Sequence, residues 1–433
     1  MKMINWCLMY LILTQFSFSC CPGSGSKDLI TIDVESNINN FKNVFLSHFT
    51  DDIHYVLLEK YEDLVFSGIW ECSFSDILIL AKDINKCLLY DYKGNFISQI
   101  GNKGRGPGEY NYVNNAFVSI DANIYIQGLY DLFLYNINGE YLRKQKNFFL
   151  FDDNYVYSWN FFNDSLIFGH IPNSTGSKKY KAVILNTEGN PIKLYDNYIK
   201  FNRAKELASR QEGHANIYSF NGSYFYKEIY NDTMFCLTRN NQLIPYYIFN
   251  FGKFSEPVSF RGSKISEKDL GSSKEWSSYI YLENVFQSSK FLFLDCQFRG
   301  HFPAKRITPK ILFGDVKSDY NTTNVLGIYD KKSGELVFCD PPNTDNFLYS
   351  SGICNDIDAG PKFYPMQMVN DSTFVMWFDA NHLKEYVSSD EFKNINPKYP
   401  EKKKKLEKFA NGLNEFDNPV LMFLTLRHTQ YGV

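Results

Sequence analysis

The residues that could do chemistry are sparse and scattered. The seven histidines are His48, His54, His170, His214, His301, His382 and His428. No two have the helical spacing of metal ligands, and no H-E-x-x-H occurs, so no metal site is assigned. His214, in Arg210-Gln211-Glu212-Gly213-His214, and His301, in Arg299-Gly300-His301, lie in polar loops beside arginine. Each is either a channel-mouth residue or a surface residue with no chemical role. The most distinctive segment is Gly104-Arg105-Gly106-Pro107-Gly108-Glu109-Tyr110. As a ligand-facing loop it would offer the planar fork of Arg105 to a carboxylate or phosphate. Glu109 would accept hydroxyls, and Tyr110 would stack on a sugar. As a crossover between repeats it would use its glycines for positive φ and pair Arg105 with a neighbouring acid. It is not a phosphate loop, because the G-K-[ST] ending is missing. There is no G-x-S-x-G nucleophile elbow. No catalytic residue and no cofactor is assigned.

The elements that must carry these loops are strands. Of 433 residues, 44% are hydrophobic and 17% aromatic, with 39 Phe and 31 Tyr, a bias that suits half-buried pleated surfaces. Two patterns recur. The first is a strand-like run, a polar turn and a second run. It appears in Leu88–Ile97, Phe133–Leu142, Val183–Ile192 and Gly327–Leu336, each with a turn glycine, and in Cys236–Leu243 with Asn241 in its place. The second is a short apolar strand that follows a small polar turn. It begins at Ile77, Ile124, Leu166, Met234, Phe291 and Phe374. The first two spacings, 47 and 42 residues, match one four-stranded blade. Six such units predict an all-β, six-bladed β-propeller. Pairing of the strand-like Ile53–Glu59 with Val420–Leu426 would close the ring, the N-terminal strand outermost. Short helical insertions are expected at 382–387 and 402–413, and a polar insertion at 254–276. The run Lys402-Lys403-Lys404-Lys405 reads as a solvated helix face. With charged residues at 21% and a net charge of −3, nucleic acid is not an expected partner.

The N-terminus reads as an export signal: Lys2 precedes a mostly apolar run, Cys7 to Phe18, too short to span a bilayer. Ser19-Cys20-Cys21 then resembles a lipobox, with Cys20 as the lipidated residue and Cys21 as the alternative. Ser17 stands where Leu is usual. The expected layout is a lipoprotein signal peptide over 1–20, a flexible linker over 21–44 and the propeller over 45–433. Membrane attachment is expected through the lipid alone. Cys339 and Cys354 flank a turn-rich loop and are either a disulfide, which export permits, or free thiols.

The stretch Ile100-Gly101-Asn102-Lys103-Gly104-Arg105-Gly106-Pro107-Gly108-Glu109-Tyr110 resembles the loop after the first blade in six-bladed β-propeller lipoproteins of Bacteroides-type bacteria, related in architecture to NHL and TolB-like propellers. Tyr55–Glu59, Tyr230–Phe235 and Asn418–Leu421 resemble the first strand, fourth-blade start and closing strand of that family. The resemblance covers roughly residues 45–428. It implies an exported lipoprotein with no settled activity, and the expected location is the outer membrane of the cell envelope, on its periplasmic or its surface face. Two functional readings follow. One is a non-catalytic binding or assembly module for a glycan, peptide or partner protein. The other is an extracellular enzyme acting on carbohydrate at the propeller's channel mouth.

Overall fold

The computed structural model describes residues 29–119, 121–163, 165–203, 214–262, 278–302, 322–341 and 351–427. Six antiparallel sheets form the blades of a β-propeller. Blade 1 contains Glu71–Phe74, Leu78–Lys82, Cys87–Asp91 and Phe96–Gln99. Blade 2 contains Asn115–Val118, Ile124–Gln127, Leu132–Tyr135 and Tyr141–Gln145. Blade 3 contains Trp159–Asn163, Leu166–His170, Tyr180–Asn186 and Pro191–Asp196. Blade 4 contains Ala215–Phe220, Ser223–Glu228, Thr233–Leu237 and Leu243–Asn250. Blade 5 contains Ile280–Gln287, Phe291–Arg299, Thr322–Asp330 and Leu336–Cys339. Blade 6 is made from both ends of the chain: Gln367–Met368, Thr373–Phe378, Val420–Thr425 and, outermost, Ile53–Leu57. The expected closure is therefore present, with Val56 opposite Leu421 in an antiparallel register.

Strand alternation explains the core. In blade 1, Leu78 and Leu80 pack toward blade 2, while Ile79 and Ala81 pack toward blade 6. Each pair of neighbouring blades encloses one apolar cluster, so six clusters replace a single central core. Complete burial of each Leu, Ile or Phe in them stabilises the fold by about 1.5–3 kcal/mol. The middle strands are apolar on both faces because blades cover them on both sides. The innermost strands border the channel and carry polar residues, which hid them from a search for apolar runs. The apolar strands read from the sequence are thus the second strands of blades 1, 2, 3, 5 and 6. Met234–Cys236 differs: it belongs to the third strand of blade 4, whose second strand is the more polar Ser223–Glu228.

The expected linker over 21–44 needs correction where it is described. Ile30–Asp33 adds a fifth strand to blade 4, parallel to Leu243–Asn250, and Phe41–Lys42 does the same beside Leu336–Cys339 of blade 5. Ile32, Val34 and Ile38 are buried there, and that burial fixes the segment. The first 28 residues, with Cys20 and Cys21, lie outside the described residues. Cys339 and Cys354 are free thiols.

Three helices, Ala380–Ser388, Asp390–Asn394 and Pro400–Asn411, interrupt blade 6 where helix was expected. Pro400 at the first turn and Lys408 in the last suit the third helix. Its basic run is partly structural: Lys402 Nζ donates to the Asp51 carbonyl (2.7 Å) and Asp52 (2.8 Å), and Lys403 Nζ to the Ile395 carbonyl (2.6 Å). The polar insertion after blade 4 begins with a short helix, Val258–Arg261. Its residues 263–276 lie outside the described residues.

Candidate site at the channel mouth

Strand directions alternate within each blade, so the N-terminal ends of the six innermost strands share one face. Side chains join these strands from blade to blade. Ser73 Oγ accepts the Val118 amide (3.1 Å), and Asn115 Nδ2 donates to the Trp159 carbonyl (3.4 Å). Ser158 Oγ accepts the Ala215 amide (3.2 Å), and Asn216 Oδ1 the Val285 amide (3.1 Å). Gln367 Oε1 accepts the Cys72 amide (3.2 Å), linking blade 1 to blade 6. The channel wall is thereby held without relying on the loops.

Glu71 opens the innermost strand of blade 1. Its carboxylate lies 3.1 Å from Lys82 Nζ, which also donates to the Asn114 carbonyl (2.9 Å) at the start of blade 2. Lys82 is buried, whereas the Glu71 side chain is 43% exposed. His214 stands just before the innermost strand of blade 4, its ring edge-on to Tyr157 at 5.1 Å. The ring is accessible from the channel, yet the protein surrounds it closely. Desolvation lowers its pKa, the Glu71 and Glu283 carboxylates pull it up, and Lys82 and His170 push it down. These groups come from blades 1, 3 and 5.

Glu283 reaches that place through a backbone irregularity. The innermost strand of blade 5 pairs Leu282 with Cys296 and Asn284 with Asp295, leaving Glu283 as the extra residue of a β-bulge. A bulge re-aims a side chain that regular alternation would send elsewhere. Glu283 accepts from Gln297 Nε2 (2.6 Å) and Asn324 Nδ2 (2.9 Å), and the same Asn324 nitrogen donates to Asp295 (2.8 Å). Asn284 Nδ2 (2.9 Å) and the Tyr364 hydroxyl also donate to Asp295. Burial, reinforced by Glu283, raises the Asp295 pKa against these hydrogen bonds. Arg299 donates to Gln297 Oε1 (2.9 Å) and lies 3.7 Å over the Tyr281 ring. One wall of the channel is thus an ordered acid–amide network.

Of the residues singled out in sequence, His214 lies at this mouth. His301 does not join it: its Nε2 meets the Ser278 carbonyl at 3.2 Å and its ring packs on Phe254 and Phe298, in the aromatic seam between blades 4 and 5. The Gly104–Tyr110 loop folds on itself. Glu109 accepts the Gly106 amide (2.7 Å), and a Cβ at Gly104 would lie 2.0 Å from the same carboxylate. Tyr110 is 1% exposed and donates to the Ile100 carbonyl (3.0 Å), so its ring is core and cannot stack on a sugar. Arg105 is exposed, has no partner among the described residues and does not pair with an acid there. Glu71 and Glu283 were missed. Their signal was an acid interrupting an apolar strand, as in Tyr281-Leu282-Glu283-Asn284-Val285. Among the described residues no group of three or more His, Cys, Asp or Glu could hold a metal ion. No helix there is long and apolar enough to cross a membrane.

Six blades, a chain-end closure and a polar channel mouth define a six-bladed β-propeller. The chain belongs to the family described as a domain of unknown function, DUF4934, which matches residues 29–425. A Bacteroides fragilis protein described as exported has the same fold, with a TM-score of 0.62 and 16% identity over 92% of this chain and 100% of its own. A DUF4221 family member from Bacteroides vulgatus is 10% identical, with a TM-score of 0.41 over 66% of this chain and 84% of its own. No curated protein matches the chain.

Proposed function

We propose that this chain is an exported, non-catalytic binding module whose channel mouth takes a glycan. The observation that carries the reading is the ordered acid–amide network on the blade 5 wall, where a bulge re-aims Glu283, with Glu71 and His214 at the starts of their innermost strands on the same face. Ionised carboxylates accept hydrogen bonds from hydroxyl groups, and the Tyr157–His214 ring pair offers a surface for a sugar's C–H face. Export is supported by the leader-like N-terminus and by a fold relative described as exported. Anchoring would use a lipid on Cys20, or on Cys21, at the outer membrane; labelling cells with a clickable fatty acid tests it, and an unlabelled wild-type protein would overturn it.

A glycan array probed with the purified chain and with Glu283→Gln tests the ligand class. The expected result is binding by the wild type that falls at least tenfold in the variant. No glycan bound, or equal binding by both, would overturn the reading. An enzyme acting on carbohydrate is the second reading, favoured by the lowered pKa of His214, which favours its neutral imidazole. Reducing ends released from a bound glycan would establish it over simple binding.

A further inference from the structure

A cleft lies between blades 3 and 4, with His170 in its lining. Its enclosed part is small, about 30 Å³, and opens directly to solvent; its walls include Asn197, Ile199, Phe201, Glu228, Tyr230 and Arg261. Neither Glu71, His214 nor Glu283 lines it.

Two polar groups in and behind the cleft are buried without a hydrogen bond among the described residues. Asn197 is 6% exposed; its Oδ1 accepts the Ile199 amide (3.0 Å), but its buried Nδ2 has no hydrogen-bond partner. Behind Glu228, Lys181 Nζ is also buried without a hydrogen bond, 3.6 Å from the Phe235 ring centre and 3.8 Å from the Glu228 carboxylate. A buried polar group left unpaired costs about 1–3 kcal/mol. Arg261 is 7% exposed; its Nε donates to Glu256 (3.1 Å), one terminal nitrogen donates to the Tyr230 carbonyl, and the other has no hydrogen bond among the described residues. The one carboxylate in the wall, Glu228, accepts from Asn231 Nδ2 (2.8 Å) and lies against Lys181, so its charge is offset. What Asn197 Nδ2 lacks is an acceptor, and beside it the cleft offers the apolar surfaces of Ile199 and Phe201.

We propose that this cleft binds a small carboxylate with an apolar tail, held through Asn197 Nδ2 and the Arg261 guanidinium. The planar guanidinium suits a carboxylate's two oxygens. Such a group could belong to a free organic acid or to the C-terminus of a peptide. It would supply the missing acceptor without disturbing the Arg261–Glu256 pair.

Calorimetric titration of the purified chain with phenylacetate, and with a tripeptide ending in Phe as free acid or C-terminal amide, tests this. Binding of phenylacetate points to free acids. Binding of the peptide acid alone, lost on amidation, points to a peptide end. In either case Asn197→Asp, which keeps the Ile199 contact but replaces the donor with an acceptor, should weaken binding at least tenfold. Arg261→Lys should weaken it too and serves if the first variant misfolds. Glu283→Gln, at the channel, should leave it unchanged, so failure here is distinguishable from failure of the glycan reading. The inference is overturned if no carboxylate binds at millimolar concentration, if the amide binds as well as the acid, or if a folded Asn197→Asp binds like the wild type.

Discussion

Gly94 lies directly against Leu57: a Cβ built at Gly94 would sit 2.0 Å from the Leu57 carbonyl oxygen. Gly94 occupies the turn before the outer strand of blade 1, and Leu57 ends the strand that closes blade 6. Gly139, in the same turn of blade 2, approaches the Gln99 carbonyl of blade 1 as closely, at 2.1 Å. These glycines answer to two demands, a positive φ for the hairpin and room for the preceding blade. Gly334 in blade 5 has a φ of 76° but no atom nearer than 4.0 Å to its added Cβ. Gly94→Ala should therefore cost at least about 2 kcal/mol and Gly334→Ala about 1 kcal/mol, torsion being its only penalty. Chemical denaturation of the two variants checks the order, and equal costs would show that the blade contact contributes nothing.

The closing strand should be indispensable. Val420 to Leu424 are all at most 1% exposed and supply the only partner of Ile53–Leu57 among the described residues. Ending the chain at Asn418 should abolish cooperative unfolding rather than trim a tail. A truncated protein that melts as one transition at the wild-type temperature would contradict this.

Asp358 should make stability fall as pH rises. Burial raises its pKa from 3.8 to about 6, outweighing hydrogen bonds from the Gly360 amide, Tyr55 and Asn355. The folded protein then holds the proton more tightly than the unfolded chain. The stabilisation is complete below pH 3.8 and is lost as pH rises through about 6. The size of the change is about 3 kcal/mol. Asp358→Asn should flatten this part of the stability profile and be the more stable protein at pH 8. His54, stacked on Phe423 at 4.9 Å, acts in the opposite sense: desolvation lowers its pKa, so its share of stability is lost on acidification. Thermal melts from pH 4 to 8 separate the two, and superimposable profiles for wild type and Asp358→Asn would remove the carboxyl from the account.

Within the Gly104–Tyr110 loop, exposure predicts opposite outcomes. Arg105→Ala should change stability by less than about 0.5 kcal/mol, whereas Tyr110→Ala, emptying a buried site, should cost about 3–5 kcal/mol. Measured midpoints decide it; a large loss at Arg105 would mean that it holds a partner in solution.

Much of the fold was legible because blades repeat their chemistry. The turn before the outer strand announces itself by Gly or Asn, and the second strand by four consecutive apolar residues, as at Ile77-Leu78-Ile79-Leu80. The site was far less legible. Glu71 and Glu283 are 212 positions apart in sequence, and only the ring puts their blades, 1 and 5, around one channel. The bulge that aims Glu283 has no sequence mark beyond an acid in an apolar run. Tyr110 misled for a related reason: aromatic residues serve cores and ligands alike, and only burial separates the two. The strands at Ile30 and Phe41 went unread because four and two residues are too short to stand out beside a glycine-rich leader.

The N-terminal path sets a timetable for folding. The segment 30–57 contributes strands to blades 4, 5 and 6 in turn, all completed by residues that follow it by hundreds of positions. A chain that emerges N-terminus first must therefore carry Ile32, Val34, Ile38 and Leu46 uncovered while blades 1 to 3 can already assemble. Blade 4 waits for Leu243–Asn250, blade 5 for Leu336–Cys339 and blade 6 for the last strand. Such long-range pairing slows folding and lengthens the interval in which apolar strands remain open to other chains. A factor that shields this opening segment during transit would act on the step that limits how much protein reaches its final shape.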